Sequence, residues 1–172
     1  MKLSEVMKKI TVNASFDGEV AGDDYILALD CTAEGDADHP DKYDVASVHV
    51  SNYGAELSPE TDSTNFYYEG YTSMKKSTSR KFKPVGKRLA GDAFQDFICS
   101  HAIKYGIGSA VVRSYVFFCA LTGKGEKGKV LILVNNDGTA ESGAIGDIDA
   151  ELQVIGTPEE YTYAASTQDT GG

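Results

Sequence analysis

Tryptophan is absent from this chain, proline occurs only four times, and the three cysteines, Cys31, Cys99 and Cys119, form an odd and widely spaced set. Such a set supports no disulfide framework and fits a reducing compartment such as a cytoplasm. The scarcity of proline excludes a proline-rich linker, whereas eighteen glycines require many turns. Long hydrophobic runs are missing too. YVFFCAL at 115–121 and VLILV at 130–134 are strand-sized, far below the roughly 20 residues of a membrane-crossing helix. The opening MKLSEVMKKITV carries Glu5 and no continuous apolar segment, so neither a secretory leader nor a membrane partner is expected. At 172 residues a single domain is expected, burying about two thirds of its unfolded surface.

Signs of catalysis are equally thin. His39, His49 and His101 share no ligand spacing, and no serine lies in a GxSxG context. Cys99 and His101 are two apart on a helical stretch, so their side chains point about 200° apart around its axis and do not converge. GKGEKGKV at 123–130 comes within one residue of the phosphate-loop pattern, with Val130 where a Mg²⁺-binding hydroxyl is required. It leads into the strand-like VLILV, whereas a phosphate loop leads into a helix. DADHPD at 36–41 is rich in carboxylates, but Pro40 and Asp41 stand where a calcium loop of the EF-hand type needs Asp or Asn and then Gly. No catalytic, cofactor-binding or metal-ligating residue is assigned, no cofactor is expected, and the chain is expected not to be an enzyme.

What is present is mostly β. YILALDC at 25–31 and DVASVHV at 44–50 read as strands that pair with each other. AVVRSYVFFCALT and KVLILVNN read as strands joined by a hairpin at GKGEKGK. In GDIDAELQVIG, Ile148, Ala150, Leu152 and Val154 alternate with Asp147, Asp149, Glu151 and Gln153, giving one core face and one row of carboxylates. The single helical signal is GDAFQDFICSHAIKYG. Asp92 is a helix cap with Gln95 placed to reach back, and Phe94, Phe97, Ile98, Ala102 and Tyr105 form one apolar stripe about four turns long. Residues 51–65 are polar without periodicity and read as a long loop. Residues 1–8 and 157–172 read as flexible arms around a domain at 9–156, and the last eight residues lose all pattern.

Charge is unevenly placed. From Gly70 to Gly91 there is no acid, while seven bases lie there, which leaves the rest of a chain of net charge -10 at -17. Such asymmetry bears on association. The basic stretch, with Lys75, Lys76, Arg80, Lys81 and Lys83, is expected to meet acidic loops of a neighbouring molecule, with Asp36, Asp38, Asp41, Asp44, Glu56 and Glu60 as partners.

YEGYTSMKKSTSRKFKPVGKRLAGDAFQDFI at 68–98, ALTGKGEKGKVLILVNNDGTAESG at 120–143 and the closing DIDAELQVIGTPEEYTY together make the chain resemble the major tail tube proteins of long-tailed bacteriophages. The likeness is strongest to those of phages and prophages of Gram-positive bacteria. It covers roughly residues 9–163 and is carried by turn and cap residues. It implies a mainly β fold, a β-sandwich or barrel-like tail tube fold with one flanking α-helix at about residues 92–105. It further implies hexameric rings stacked into the tube of a virion tail, subunits synthesised in the host cytoplasm, and contacts with the tape measure and other tail proteins. DNA would pass through without specific binding, and Asp147, Asp149 and Glu151 would then face the lumen, since bases that neutralise phosphates hold DNA in place. The competing reading is a carbohydrate- or protein-binding β-sandwich module of a tail fibre or cell surface, for which Tyr53, Tyr67, Tyr68 and Tyr71 are the only aromatic candidates.

Overall fold

The computed structural model describes residues 1–32 and 39–164. In chain order its principal elements are α1 (Leu3–Met7), β1 (Tyr25–Leu29), β2 (Asp44–Val45), β3 (Val50–Asn52), β4 (Glu56–Phe66) and β5 (Gly70–Phe82). There follow β6 (Val85–Lys87), α2 (Ala93–Ile98), α3 (His101–Lys104), β7 (Val112–Cys119), β8 (Lys124–Asp137) and β9 (Asp147–Thr162). The fold is mainly β, an antiparallel sheet curled into a half-barrel in the order β2-β1-β7-β8-β9-β5-β4. β9 shares its second edge between two strands: Asp147–Asp149 pair with β6, and Leu152 and Gln153 pair with the end of β5. β3 pairs with β6 outside the main path.

The apolar runs of β1 and β7 are continuous because both of their faces are covered, the circumstance in which a strand need not alternate. Leu27, Leu29, Tyr115 and Phe117 enter one core with Phe82, Ile132, Ile148 and Leu152, closed by Phe94 and Ile98 of α2 and Ile103 of α3. Ile26, Ala28, Val116 and Phe118 point the other way, into a second core under Leu3 and Met7 of α1. Tyr161 and Tyr163 pack on that second core, the Tyr163 ring stacked on Phe118 at 5.7 Å. Each such side chain, fully buried, contributes about 1.5–3 kcal/mol. β1 and β2 pair as expected, Ala28 opposite Val45.

Several local expectations are revised. The helical region lies where the sequence places it, but it breaks into α2 and α3 at Ser100, which has extended geometry with ψ 150°. The break resets the helical phase. Ile103 turns inward, and Ala102 and Tyr105, expected on the buried stripe, are exposed. Asp92 caps α2 as expected, accepting from the Gln95 amide at 3.1 Å. The Gln95 side chain does not reach back. It is fully buried, donates to the carbonyls of Val48 and Lys87 at 2.9 and 3.1 Å, and accepts from the Leu89 amide at 2.8 Å. It thus pins two chain segments to α2 and satisfies three backbone groups.

The β7–β8 turn is Ala120–Gly123, and KGEKGK belongs to β8. Gly125 within it has to be glycine, since a Cβ there would collide with the backbone of Phe117 and Phe118. DVASVHV is split, with only Asp44 and Val45 in β2 and Val50 opening β3. Residues 56–65, read as loop, are strand. Within residues 1–8, α1 buries Leu3 and Met7, and within 157–172 the strand β9 continues to Thr162. Residues 165–172 lie outside the described residues.

Candidate functional site

β4 and β5 form one long hairpin, paired from Glu56 opposite Lys81 to Phe66 opposite Gly70. Every residue of β4 is exposed, and β5 is exposed from Gly70 to Ser77, turning inward only as it approaches Phe82. Among the described residues β4 has no second neighbour, and β5 pairs with β9 only at Lys81 and Phe82. Both faces and both edges of this arm are therefore wet over most of its length. A two-stranded hairpin without a supporting surface is marginally stable in water, and a long free edge invites pairing. Its sequence, rich in Ser and Thr, shows the β-branched character of a strand without the apolar alternation of a buried one.

The tip is the turn Tyr67–Glu69 between Phe66 and Gly70. Phe66, Tyr67, Tyr68, Tyr71 and Met74 are all at least half exposed. Tyr68 has φ 70°, a left-handed conformation that costs a bulky residue roughly 1–3 kcal/mol. Gly70, at φ 79°, supplies the second left-handed position without that cost. The only rings near Tyr67 and Tyr68 among the described residues are each other's, at 6.5 Å.

The structure places the charged candidates as follows. The two-residue period of β4 puts Glu56, Glu60 and Asp62 on one face of the arm, where they meet Lys81 at 3.4 Å, the Ser77 hydroxyl at 3.3 Å and Lys76 at 3.2 Å. Lys75 lies opposite Thr61. From Glu56 to Phe82 there are four acids and four bases, so the basic strand is balanced across its own hairpin. Arg80 is not a free surface charge: its side chain is 12% exposed, paired with Glu126 at 2.9 Å and stacked over Phe82 and Phe117. Asp41 lies in a short 3₁₀ turn. Asp44 is buried against Lys2 at 2.7 Å, which removes it as a partner for a neighbouring molecule. Asp36 and Asp38 lie outside the described residues.

On β9 the alternation holds, Ile148, Ala150 and Leu152 being buried and Asp147, Asp149 and Glu151 lying on the opposite face. That row is not purely acidic in its surroundings. Lys87 pairs with Asp147, Lys83 reaches Asp149 at 3.5 Å, and Glu151 accepts from Gln153 at 2.6 Å. The sequence hides this, because residues 83 and 87 reach β9 only through the β6 pairing. On α2, Asp96 accepts from Arg88 and from the Gly91 amide. The Arg88 hydrogen bond holds its carboxyl below the usual range.

At the root of the arm lies a cleft of about 590 Å³, whose lining includes Tyr25, Tyr53, Phe117 and Arg80 together with Asp23 and Asn52. Tyr25 stacks on Phe117 at 5.4 Å, and Tyr53 meets the same ring edge-on at 6.4 Å. Burial pushes the Tyr53 phenol up from its ordinary value. Tyr53 thus belongs to the root and Tyr67, Tyr68 and Tyr71 to the far end of the arm, so the four tyrosines do not form one patch. Among the described residues no group of three or more His, Cys, Asp or Glu could hold a metal ion.

No family model matches the chain, and no curated protein matches it. Among solved structures it is similar to a chain in the tail of an empty gene transfer agent (GTA) particle, computed with helical refinement and C6 symmetry. That likeness has TM-score 0.57 and 13% identity, over 84% of this chain and 100% of that one. It is also similar to a chain of the virion of a native gene transfer agent particle, at TM-score 0.56 and 11% identity, over 85% and 100%. At such identities the likeness is one of fold.

Proposed function

We propose that the chain is the structural subunit of a bacteriophage-type tail, in which six copies close into a ring and rings stack into a tube that conducts DNA. The observation that carries this reading is the arm, whose faces, edges and aromatic tip are exposed at once, a state that a second protein surface relieves. The fold it shares with a tail chain of C6 symmetry supports the same reading. Ring closure would pair sheet edges between neighbours and remove them from water. The finished tube would lie in the virion, with subunits made in the host cytoplasm and a tape measure and other tail proteins as partners.

In this reading Asp147, Asp149 and Glu151 face the lumen and repel the phosphates of passing DNA, with Lys83 and Lys87 kept from them by pairing. Lys75, Lys76, Lys81 and Lys83, with Arg80 at the root, and the acids Asp36, Asp38, Asp41, Glu56 and Glu60 remain the charged contacts between copies. Their balance within the arm makes their role one of register and encounter more than of affinity. Electron microscopy of negatively stained protein at increasing concentration tests the reading: rings and tubes are expected, and a chain that stays monomeric at every concentration sinks it. A carbohydrate- or protein-binding module is the second reading, favoured by the aromatic cleft at the arm's root. It requires saturable binding of a glycan or peptide by the monomer.

A further inference from the structure

We infer that the tip of one copy's arm seats in the root cleft of another copy, with Tyr67 and Tyr68 as the inserted rings and Tyr25, Tyr53, Phe117 and Arg80 as the receiving walls. This names the contact of the self-association proposed above and rests on it. The tip carries two almost fully exposed tyrosines on a turn with a left-handed Tyr68. The cleft offers ring faces and edges, a cation stacked on the Phe117 ring, and polar groups of Asp23 and Asn52 in its lining. A tyrosine suits such a site, its ring meeting the aromatic lining and its hydroxyl the polar groups beside it. The cleft's volume is that of a site for a compact ligand group.

The occupant cannot be the chain's own tip. Arg80 lines the cleft and stands on the same strand as Gly70, and ten residues of strand place the tip about 33 Å away. The contact therefore runs from the tip of one molecule to the root of the next, using different surfaces on each. Where copies do not exchange tips reciprocally, such a head-to-tail contact leaves each new copy with a free tip or a free cleft, and it closes into a ring or propagates as a stack according to its rotation.

The test mixes full-length chains carrying Tyr68→Cys with chains carrying Asn52→Cys under mild oxidation, and maps the products by mass spectrometry. A 52–68 disulfide between chains is expected, and Ala55→Trp on the Asn52→Cys chain, which plugs the cleft from an exposed position, should abolish it. In parallel, Tyr67→Ala with Tyr68→Ala should weaken self-association about thirtyfold, the loss expected of an aromatic anchor, without changing the melting temperature. Absence of the 52–68 link, or a link indifferent to the plug, overturns the inference. Tubes of the unmodified chain without that link would leave the tube reading standing and remove this contact. The link without any rings or tubes would keep the contact and remove the tube.

Discussion

The paired strands β1 and β7 and the arm formed by β4 and β5 are both antiparallel β-structure in one sheet, yet they stand at opposite limits of burial. Leu27, Leu29, Tyr115, Val116 and Phe118 are almost inaccessible to water, with a core on each face. The eleven residues of β4 are all exposed. Hydrogen-bond ladders are common to both regions, so the ladder alone does not explain why either is stable. Burial explains the first, and the second has to find its burial outside the subunit. Phe82 marks the boundary, the last residue of β5 and fully buried opposite Leu152.

Excising the arm breaks the comparison most sharply. Joining Leu57 to Arg80 through an Asn-Gly turn keeps a pair that already exists. The shortened chain is expected to unfold cooperatively at an unchanged temperature while losing all self-association in analytical ultracentrifugation. A body that no longer folds would mean the arm is part of the core's stability. Hydrogen exchange on the free subunit comes next. Arm amides from Ser58 to Ser79 should exchange orders of magnitude faster than those of β1 and β7, and should slow on assembly. Equally slow exchange in both regions would erase the distinction.

Point substitutions sharpen it further. Phe82→Ala should cost about 3–5 kcal/mol in equilibrium denaturation, whereas Tyr71→Ala, eleven residues earlier on the same strand and 73% exposed, should stay within about 0.5 kcal/mol. Gln95→Ala should cost about 2 kcal/mol, since the carbonyls of Val48 and Lys87 and the Leu89 amide lose their partner. The smallest effect is electrostatic. The Asp96 carboxyl is held low by Arg88, so its stabilising contribution is present above the ordinary carboxylate value of about 3.9 and is lost as pH falls through the lowered value. Because the pair is exposed, the change in stability should be slight. NMR titration should place Asp96 below the ordinary value and Arg88→Gln should raise it.

The sequence by itself determined much of the body. Unbroken apolar runs marked β1 and β7, strict alternation marked the inner and outer faces of β9, and Asp92 marked the start of α2. These are local signals, legible because each residue's burial follows from its own neighbours along the chain. The arm was illegible for the same reason: a strand wet on both faces has no apolar period to read, so 56–65 looked like loop, and only pairing with β5 made it a strand. The phase break at Ser100 was likewise hidden, since both halves of the helix scan as one stripe.

Only the tertiary structure decided that Gln95 is a buried clamp, that Arg80 pairs with Glu126 and lines a cleft, and that Lys83 and Lys87 sit on the acidic row. Each depends on contacts between residues far apart in the chain. In such contacts a charge or an amide is assigned its role by what the fold brings against it, and the sequence carries no period that announces the meeting.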